Sequence, residues 1–130
     1  KKSSYVNCSS FRLRDWFSFQ FTDEMIWENY GTVWQIDHVI PIQQYLCGNL
    51  PKEIIFHWLN TQPILVKQNL RKNKHVTLEE CQDHLEKIKV YLKIRKLEET
   101  SFLQGLKEFC DNFAKHQVAG TTLESSDTTS

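Results

Sequence analysis

Residues 34–41 read Trp-Gln-Ile-Asp-His-Val-Ile-Pro, and this stretch decides the predicted fold. Its β-branched and aromatic residues belong to two short runs, Val33–Ile36 and Val39–Ile42, which favour two strands. A hairpin whose bend carries Asp37 and His38 follows from this pattern. The proline that ends the stretch cannot donate to a strand ladder, so we expect it at an edge or at the end of the second strand.

Upstream of this hairpin, residues 11–21 are dense in aromatic side chains. The spacing of Leu13, Trp16 and Phe17 predicts a short helix that packs its aromatic side onto the core. The last three phenylalanines of the segment also alternate, which leaves a strand as the alternative. All four tryptophans of the chain are expected in the core rather than on a base-stacking surface.

Downstream, the pattern is mainly helical. In order, it predicts a short helix opened by Pro51, an extended piece at Gln62–Val66, a helix from Val66 to about Lys72, a helix begun by a capping box of Thr77 and Glu80, and a helix over Ser101–Lys115. The predicted fold class is therefore α+β, a hairpin with a crossing helix between flanking N- and C-terminal helices. We expect residues 1–10 to form an arm, residues 11–116 one domain, and the Ser/Thr-rich residues 117–130 a disordered tail.

Charge is unevenly distributed along a chain whose formal net charge is zero. Residues 67–96 hold nine of the sixteen Lys and Arg and four of the sixteen Asp and Glu, whereas residues 97–130 hold two and six. A basic middle of this kind is a plausible footprint for phosphate, although a solvated Lys-rich helix gives the same pattern.

The four cysteines lie far apart, and no two form a CxxC pair, so no structural zinc site is expected. Reduced thiols are favoured over a disulfide framework. No apolar run is long enough to cross a bilayer, and no secretory leader follows Lys1–Ser4. We therefore expect an intracellular protein without a membrane partner.

Asp37 and His38 together offer the groups that phosphodiester hydrolysis needs. A neutral imidazole can activate a water molecule, and a carboxylate can hold a divalent cation that neutralises the phosphate. Adjacent residues of a strand project in different directions, so each side chain can approach the phosphate separately. An Asp-His dipeptide alone is usually a turn aspartate beside a solvated histidine. Its weight comes from the motifs that follow it, Asn60-Thr61-Gln62-Pro63-Ile64-Leu65 and Asn69-Leu70-Arg71-Lys72.

With these three ordered motifs, residues 11–76 resemble the HNH nucleases, the ββα-metal family, in the branch found in phages, large DNA viruses and mobile elements. That branch has Asp-His before a proline, and two asparagines nine residues apart, the spacing of Asn60 and Asn69. The approach to the first strand, Phe21–Met25 and Trp27–Gly31, also resembles it.

The resemblance implies an endonuclease that hydrolyses DNA with Mg²⁺ or Mn²⁺. It makes His38 the general base, Asp37 and Asn69 the metal ligands, and Asn60 the residue that hydrogen-bonds the hairpin backbone and orients His38. Phosphate contacts are expected from a basic group after the second motif, namely Lys67, Arg71, Lys72, Lys74 and His75.

Two alternatives stay open at this point. One is a non-catalytic nucleic-acid-binding module on the same fold, and the other is a protein-interaction domain that uses the helices of residues 78–116. His57 is expected to be a packed structural histidine, and His84 an ordinary helix-surface residue. The sequence leaves DNA against RNA, nicking against double-strand cutting, and the oligomeric state undecided.

Overall fold

The computed structural model describes residues 8–69 and 75–118. Its helices and strands are α1 (Ser10–Gln20), β1 (Trp34–His38), α2 (Ile42–Leu46), α3 (Lys52–Ile55), β2 (Thr61–Leu65), α4 (Val66–Asn69), α5 (Leu78–Arg95) and α6 (Thr100–Val118). Single 3₁₀ turns cover Trp27–Asn29 and Trp58–Asn60. The mixed α and β class, with one antiparallel strand pair and several helices, is as the sequence predicted.

The aromatic N-terminal segment is a helix, so the strand alternative is wrong. Ser9 caps α1 by accepting a hydrogen bond from the backbone N–H of Arg12 at 3.1 Å. Trp16 and Phe17 are buried on the inner face of the helix. Three of the four tryptophans are fully buried as expected, whereas Trp27 is half-buried at the edge of the core.

The predicted hairpin of Val33–Ile36 with Val39–Ile42 is wrong, although β1 does have an antiparallel partner further along the chain. β1 pairs antiparallel with β2, so that Asp37 lies opposite Gln62 and His38 opposite Thr61. Residues 39–42 are not a strand, because Pro41 is the N-cap of α2 and Ile42 begins that helix. Asp37 and His38 therefore end β1 instead of occupying a tight bend, and a long connection with two short helices separates the strands.

The C-terminal half is built from two long helices that pack on each other. Thr77 and Glu80 form the predicted capping box at the start of α5, with bonds of 3.0 and 2.8 Å. α6 continues to Val118, so residues 117 and 118 are helical rather than part of a disordered tail. Residues 119–130 and 1–7, assigned to the tail and the arm, lie outside the described residues.

A single main core joins α1, α3, α5 and α6. Its rim carries a polar link between α1 and α5, in which the Asp15 carboxylate accepts hydrogen bonds from Tyr91 Oη at 2.6 Å and Arg95 Nε at 2.7 Å. The bond from Arg95 holds the pKa of Asp15 below its usual range. Within the described parts of the chain, no helix is long and apolar enough to cross a membrane.

Candidate active site at the end of the strand pair

Asp37 and His38 stand at the end of β1 with their side chains on opposite faces of the strand pair, since neighbours in a strand alternate. Asp37 shares its face with Gln62, the residue directly opposite. Gln62 Nε2 donates a hydrogen bond of 3.0 Å to Asp37 Oδ2. This bond fixes the orientation of a half-buried carboxylate whose oxygens are suited to a hard cation.

His38 is half-buried on the other face, opposite Thr61. Its imidazole and the ring of Phe56 form a T-shaped pair, with centroids 6.0 Å apart and planes at 83°. Phe56 directly follows α3, so the long connection between the strands returns to contact the imidazole. The ring is thus confined on one side by an aromatic wall.

Asn60 connects the two strands just beyond their last pair. Its Oδ1 accepts from the backbone N–H of Ile40 at 3.0 Å, and its Nδ2 donates to the carbonyls of Ile40 at 3.1 Å and Ile55 at 2.9 Å. Its own carbonyl accepts from the N–H of Val39 at 2.9 Å. Asn60 is only 1% exposed, so these bonds form away from water. They are the backbone contacts expected of Asn60, and its part in catalysis stays a prediction.

These bonds also explain why residues 39–42 do not form a strand. The side-chain amide of Asn60 satisfies both backbone groups of Ile40, as a neighbouring strand would do. The chain then turns at Pro41, which has no N–H to place in a ladder. One buried asparagine therefore takes the place of a paired strand just after His38, the last residue of β1.

We call residues 58–61 the Asn60 turn. Buried side chains from two helices, α1 and α5, donate hydrogen bonds to its backbone carbonyls. His84 Nε2 on α5 donates to the carbonyl of Leu59 at 2.7 Å, and Trp16 Nε1 on α1 donates to that of Thr61 at 3.0 Å. Both carbonyls are buried, so the donors remove a desolvation cost. The residues on either side of Asn60 are thus fixed by the main core.

The prediction that His84 lies on the helix surface is wrong, and its role in this arrangement was therefore not predicted. It is 3% exposed. The helical spacing contained the signal, since His84 lies three residues after Cys81 and four before Ile88 on the stripe that faces the core. Gln62 was also missed as a partner of Asp37, because strand register cannot be read from the motif alone.

The remaining predicted residues lie on or after α4, which follows β2 without a loop. Its first residue donates from Val66 N to the carbonyl of Val33 at 2.9 Å, and the helix contacts both strands. Asn69 is its last described residue. Lys67 is exposed and lies 3.8 Å from the Glu24 carboxylate, and His75 is half-buried. Arg71, Lys72 and Lys74 lie outside the described residues.

Among the described residues, no group of three or more His, Cys, Asp or Glu side chains is placed so that it could hold a metal ion. The ligand pair implied by the sequence, one carboxylate on β1 and one amide on α4, is smaller than such a cluster. Carboxylate and amide oxygens suit Mg²⁺, which keeps several of its waters and needs few protein ligands. The donor types of Asp37 and Asn69 therefore fit that ion.

His57 is a structural histidine. Its Nδ1 accepts from the backbone N–H of Leu59 at 3.1 Å, so the neutral ring carries its proton on Nε2, which lies 3.1 Å from Glu99 Oε1. The ring is stacked on Phe102 at 4.4 Å. Burial lowers the pKa of His57 to about 4, and burial also raises the pKa of Glu99.

This histidine should make the protein less stable in mild acid. The unfolded chain binds the His57 proton near pH 6.5 and the folded chain only near pH 4, so the free energy of unfolding falls as pH drops through this range. The lowered pKa of His57 corresponds to a loss of about 3 kcal/mol in the free energy of unfolding. The raised pKa of Glu99 stabilises the folded protein as pH falls, so the net loss is smaller. Urea unfolding from about pH 7 to about pH 4 measures it. His57→Gln should flatten the slope, and an unchanged slope in that variant would contradict the assignment.

Two proteins of Acanthamoeba polyphaga mimivirus are similar to this chain. It is 34% identical to uncharacterized protein L426 over 97 residues, which are 74% of this chain and 41% of that protein. It is 28% identical to uncharacterized protein L246 over 89 residues, 68% of this chain and 39% of that protein. The chain thus spans about two fifths of the curated relatives it matches. No family model matches it, and no solved structure matches it significantly. Relatives in a large DNA virus agree with the viral setting that the sequence resemblance implied.

Proposed function

We propose that this chain is a metal-dependent endonuclease of the HNH type, which hydrolyses phosphodiester bonds in DNA. The observation that carries the proposal is the buried Asn60 amide, which holds the backbone two residues after His38 on both its N–H and its C=O. A binding surface has no need for such a buried constraint beside the half-buried His38. A general base needs it, because proton transfer depends on the position of one ring nitrogen.

In this proposal Asp37 and Asn69 hold Mg²⁺ or Mn²⁺. The bound ion would neutralise charge on the phosphate and stabilise the leaving oxygen. Gln62 orients the Asp37 carboxylate through the bond to its Oδ2. His38, on the opposite face, accepts the proton of the attacking water, and the Phe56 ring limits the angles that its imidazole can take.

The phosphate backbone is recognised by the basic group that begins on α4, with Lys67 as its first member. Contacts of this kind give affinity without sequence preference, and the affinity falls steeply with salt. They agree with the concentration of Lys and Arg in residues 67–96.

The first test is plasmid nicking with Mg²⁺, with and without EDTA, by the wild type and by Asp37→Ala. We expect EDTA to stop cleavage and Asp37→Ala to lower its rate by a factor on the order of 100 or more and to weaken Mn²⁺ binding in calorimetry. Asp23→Ala removes an exposed carboxylate ahead of β1 and should change neither. Cleavage that persists in EDTA, or that Asp37→Ala leaves intact, would reject the metal assignment. Salt-dependent DNA binding without cleavage would favour the non-catalytic module.

A further inference from the structure

A groove lies between α1 and the first strand, and no residue of α5 or α6 lines it. Its walls are Leu13, Arg14, Phe17, Trp27, Tyr30 and Ile36, and its volume is about 310 Å³. We call it the Trp27 groove. None of its residues belongs to the catalytic set, so the proposed mechanism gives it no role.

The groove is apolar and aromatic with a cation at its mouth. The Arg14 guanidinium lies 4.1 Å from the centroid of the Trp27 ring. In the described parts of the chain, no carboxylate forms an ion pair with Arg14. Tyr30 is 52% exposed and Trp27 is half-buried. Accessible aromatic surface beside an uncompensated cation suits a ligand that is planar and anionic.

The alternation of side chains along β1 places the groove relative to His38. Ile36 lines the groove and lies two residues before His38, so both side chains project from the same face of the strand. Their separation along the strand is about 7 Å. A stacked DNA strand rises about 3.4 Å per nucleotide and an unstacked strand extends further, so this separation spans at most about two nucleotides.

We propose that the Trp27 groove binds an unpaired base of the DNA, within about two nucleotides of the phosphate that is cut. This inference rests on the proposed nuclease function and specifies its substrate as a strand with at least one unpaired base near the scissile bond. The base stacks on Trp27 beside Tyr30, and Arg14 moves from the Trp27 ring to the flanking phosphate.

The energies favour this exchange. An exposed contact between a guanidinium and an aromatic ring is weak. Base stacking on an aromatic side chain is stronger, and the guanidinium gains a charge-assisted bond to phosphate. A base inside an intact duplex cannot enter the groove without being unstacked, so the preference for unpaired DNA follows from the geometry.

The test measures binding of a fluorescent single-stranded oligodeoxynucleotide and of the duplex of the same sequence, at fixed salt. All proteins carry His38→Ala and no divalent metal is added, so the DNA stays intact. We expect Trp27→Leu, Tyr30→Ala and Arg14→Gln each to weaken single-strand binding about tenfold, or about 1.4 kcal/mol. Duplex binding should change less than about twofold. Arg12→Gln removes an equal charge from the same helix outside the groove and should also change single-strand binding less than about twofold.

Tyr30→Ala alters an exposed ring and keeps the test valid if Trp27→Leu does not fold. Photocrosslinking with 5-bromodeoxyuridine should label Trp27 or Tyr30. Unchanged single-strand affinity in the folded variants, equal losses for single strand and duplex, or crosslinks only outside the groove would overturn the inference. The two proposals fail separately. A wild type that never cuts DNA rejects the nuclease, whereas a cutting enzyme whose groove variants bind single strands normally rejects the groove.

Discussion

His38→Ala is expected to slow DNA cleavage by a factor on the order of 10²–10⁴, the usual contribution of a general base. The imidazole lies at the end of β1, and among the described residues its ring contact is with Phe56. Truncation removes the proton acceptor and leaves Asp37 and Asn60 in place. Single-turnover cleavage of supercoiled plasmid at saturating enzyme isolates the chemical step from DNA binding.

Three measurements separate loss of the base from loss of the fold. The His38→Ala protein should keep its melting temperature within a few degrees and should still bind Mn²⁺. Added imidazole should restore part of the rate, because it can occupy the space that truncation leaves. Gln43→Ala, on the first helix after His38, should cut at the wild-type rate. Normal cleavage by His38→Ala would remove the central assignment.

Asn60→Ala should lower folding stability by about 3 kcal/mol or more, in addition to abolishing cleavage. The substitution leaves the N–H and C=O of Ile40 and the C=O of Ile55 without their partner. Each buried polar group left unsatisfied costs about 1–3 kcal/mol. A small domain has a total stability of only about 5–15 kcal/mol, so the loss should be visible as a large shift in the urea midpoint.

Asn60→Asp tests the same site without changing its size. It keeps an acceptor for the Ile40 N–H but turns a carboxylate oxygen towards two carbonyls, so it should destabilise the protein at least as much as alanine at neutral pH. Gln82→Ala is the control, since Gln82 is an exposed amide side chain on α5. It should cost less than about 1 kcal/mol. An Asn60→Ala protein as stable as this control would contradict the description of the Asn60 turn.

Features with local causes could be predicted from the sequence. The helix of α1 follows from the spacing of Trp16 and Phe17 and from the capping serine before it. The start of α5 follows from Thr77 and Glu80, which bond each other across three residues. In both cases the residues that determine the element lie within one or two helical turns of one another.

Features that depend on distant partners could not be predicted in this way. Val39–Ile42 has the composition of a strand, but the partner of Ile40 is a side chain twenty residues later in the sequence, and that side chain replaces a strand neighbour. The pairing of Asp37 with Gln62 depends on a strand register that only the folded connection defines. The motif therefore located the candidate residues, while the contacts around them required the structure.

The Asn60 turn has a consequence for the synthesis of the protein. The carbonyl of Thr61 accepts a hydrogen bond from Trp16, which is translated early. The carbonyl of Leu59 accepts one from His84, which is translated well after both strands. A nascent chain that has emerged only as far as α4 contains every proposed catalytic and metal-binding residue but lacks the helix that supports Asn60. Assembly of the candidate site therefore awaits α5, and the arrangement around Asn60 is complete only when most of the domain has been made.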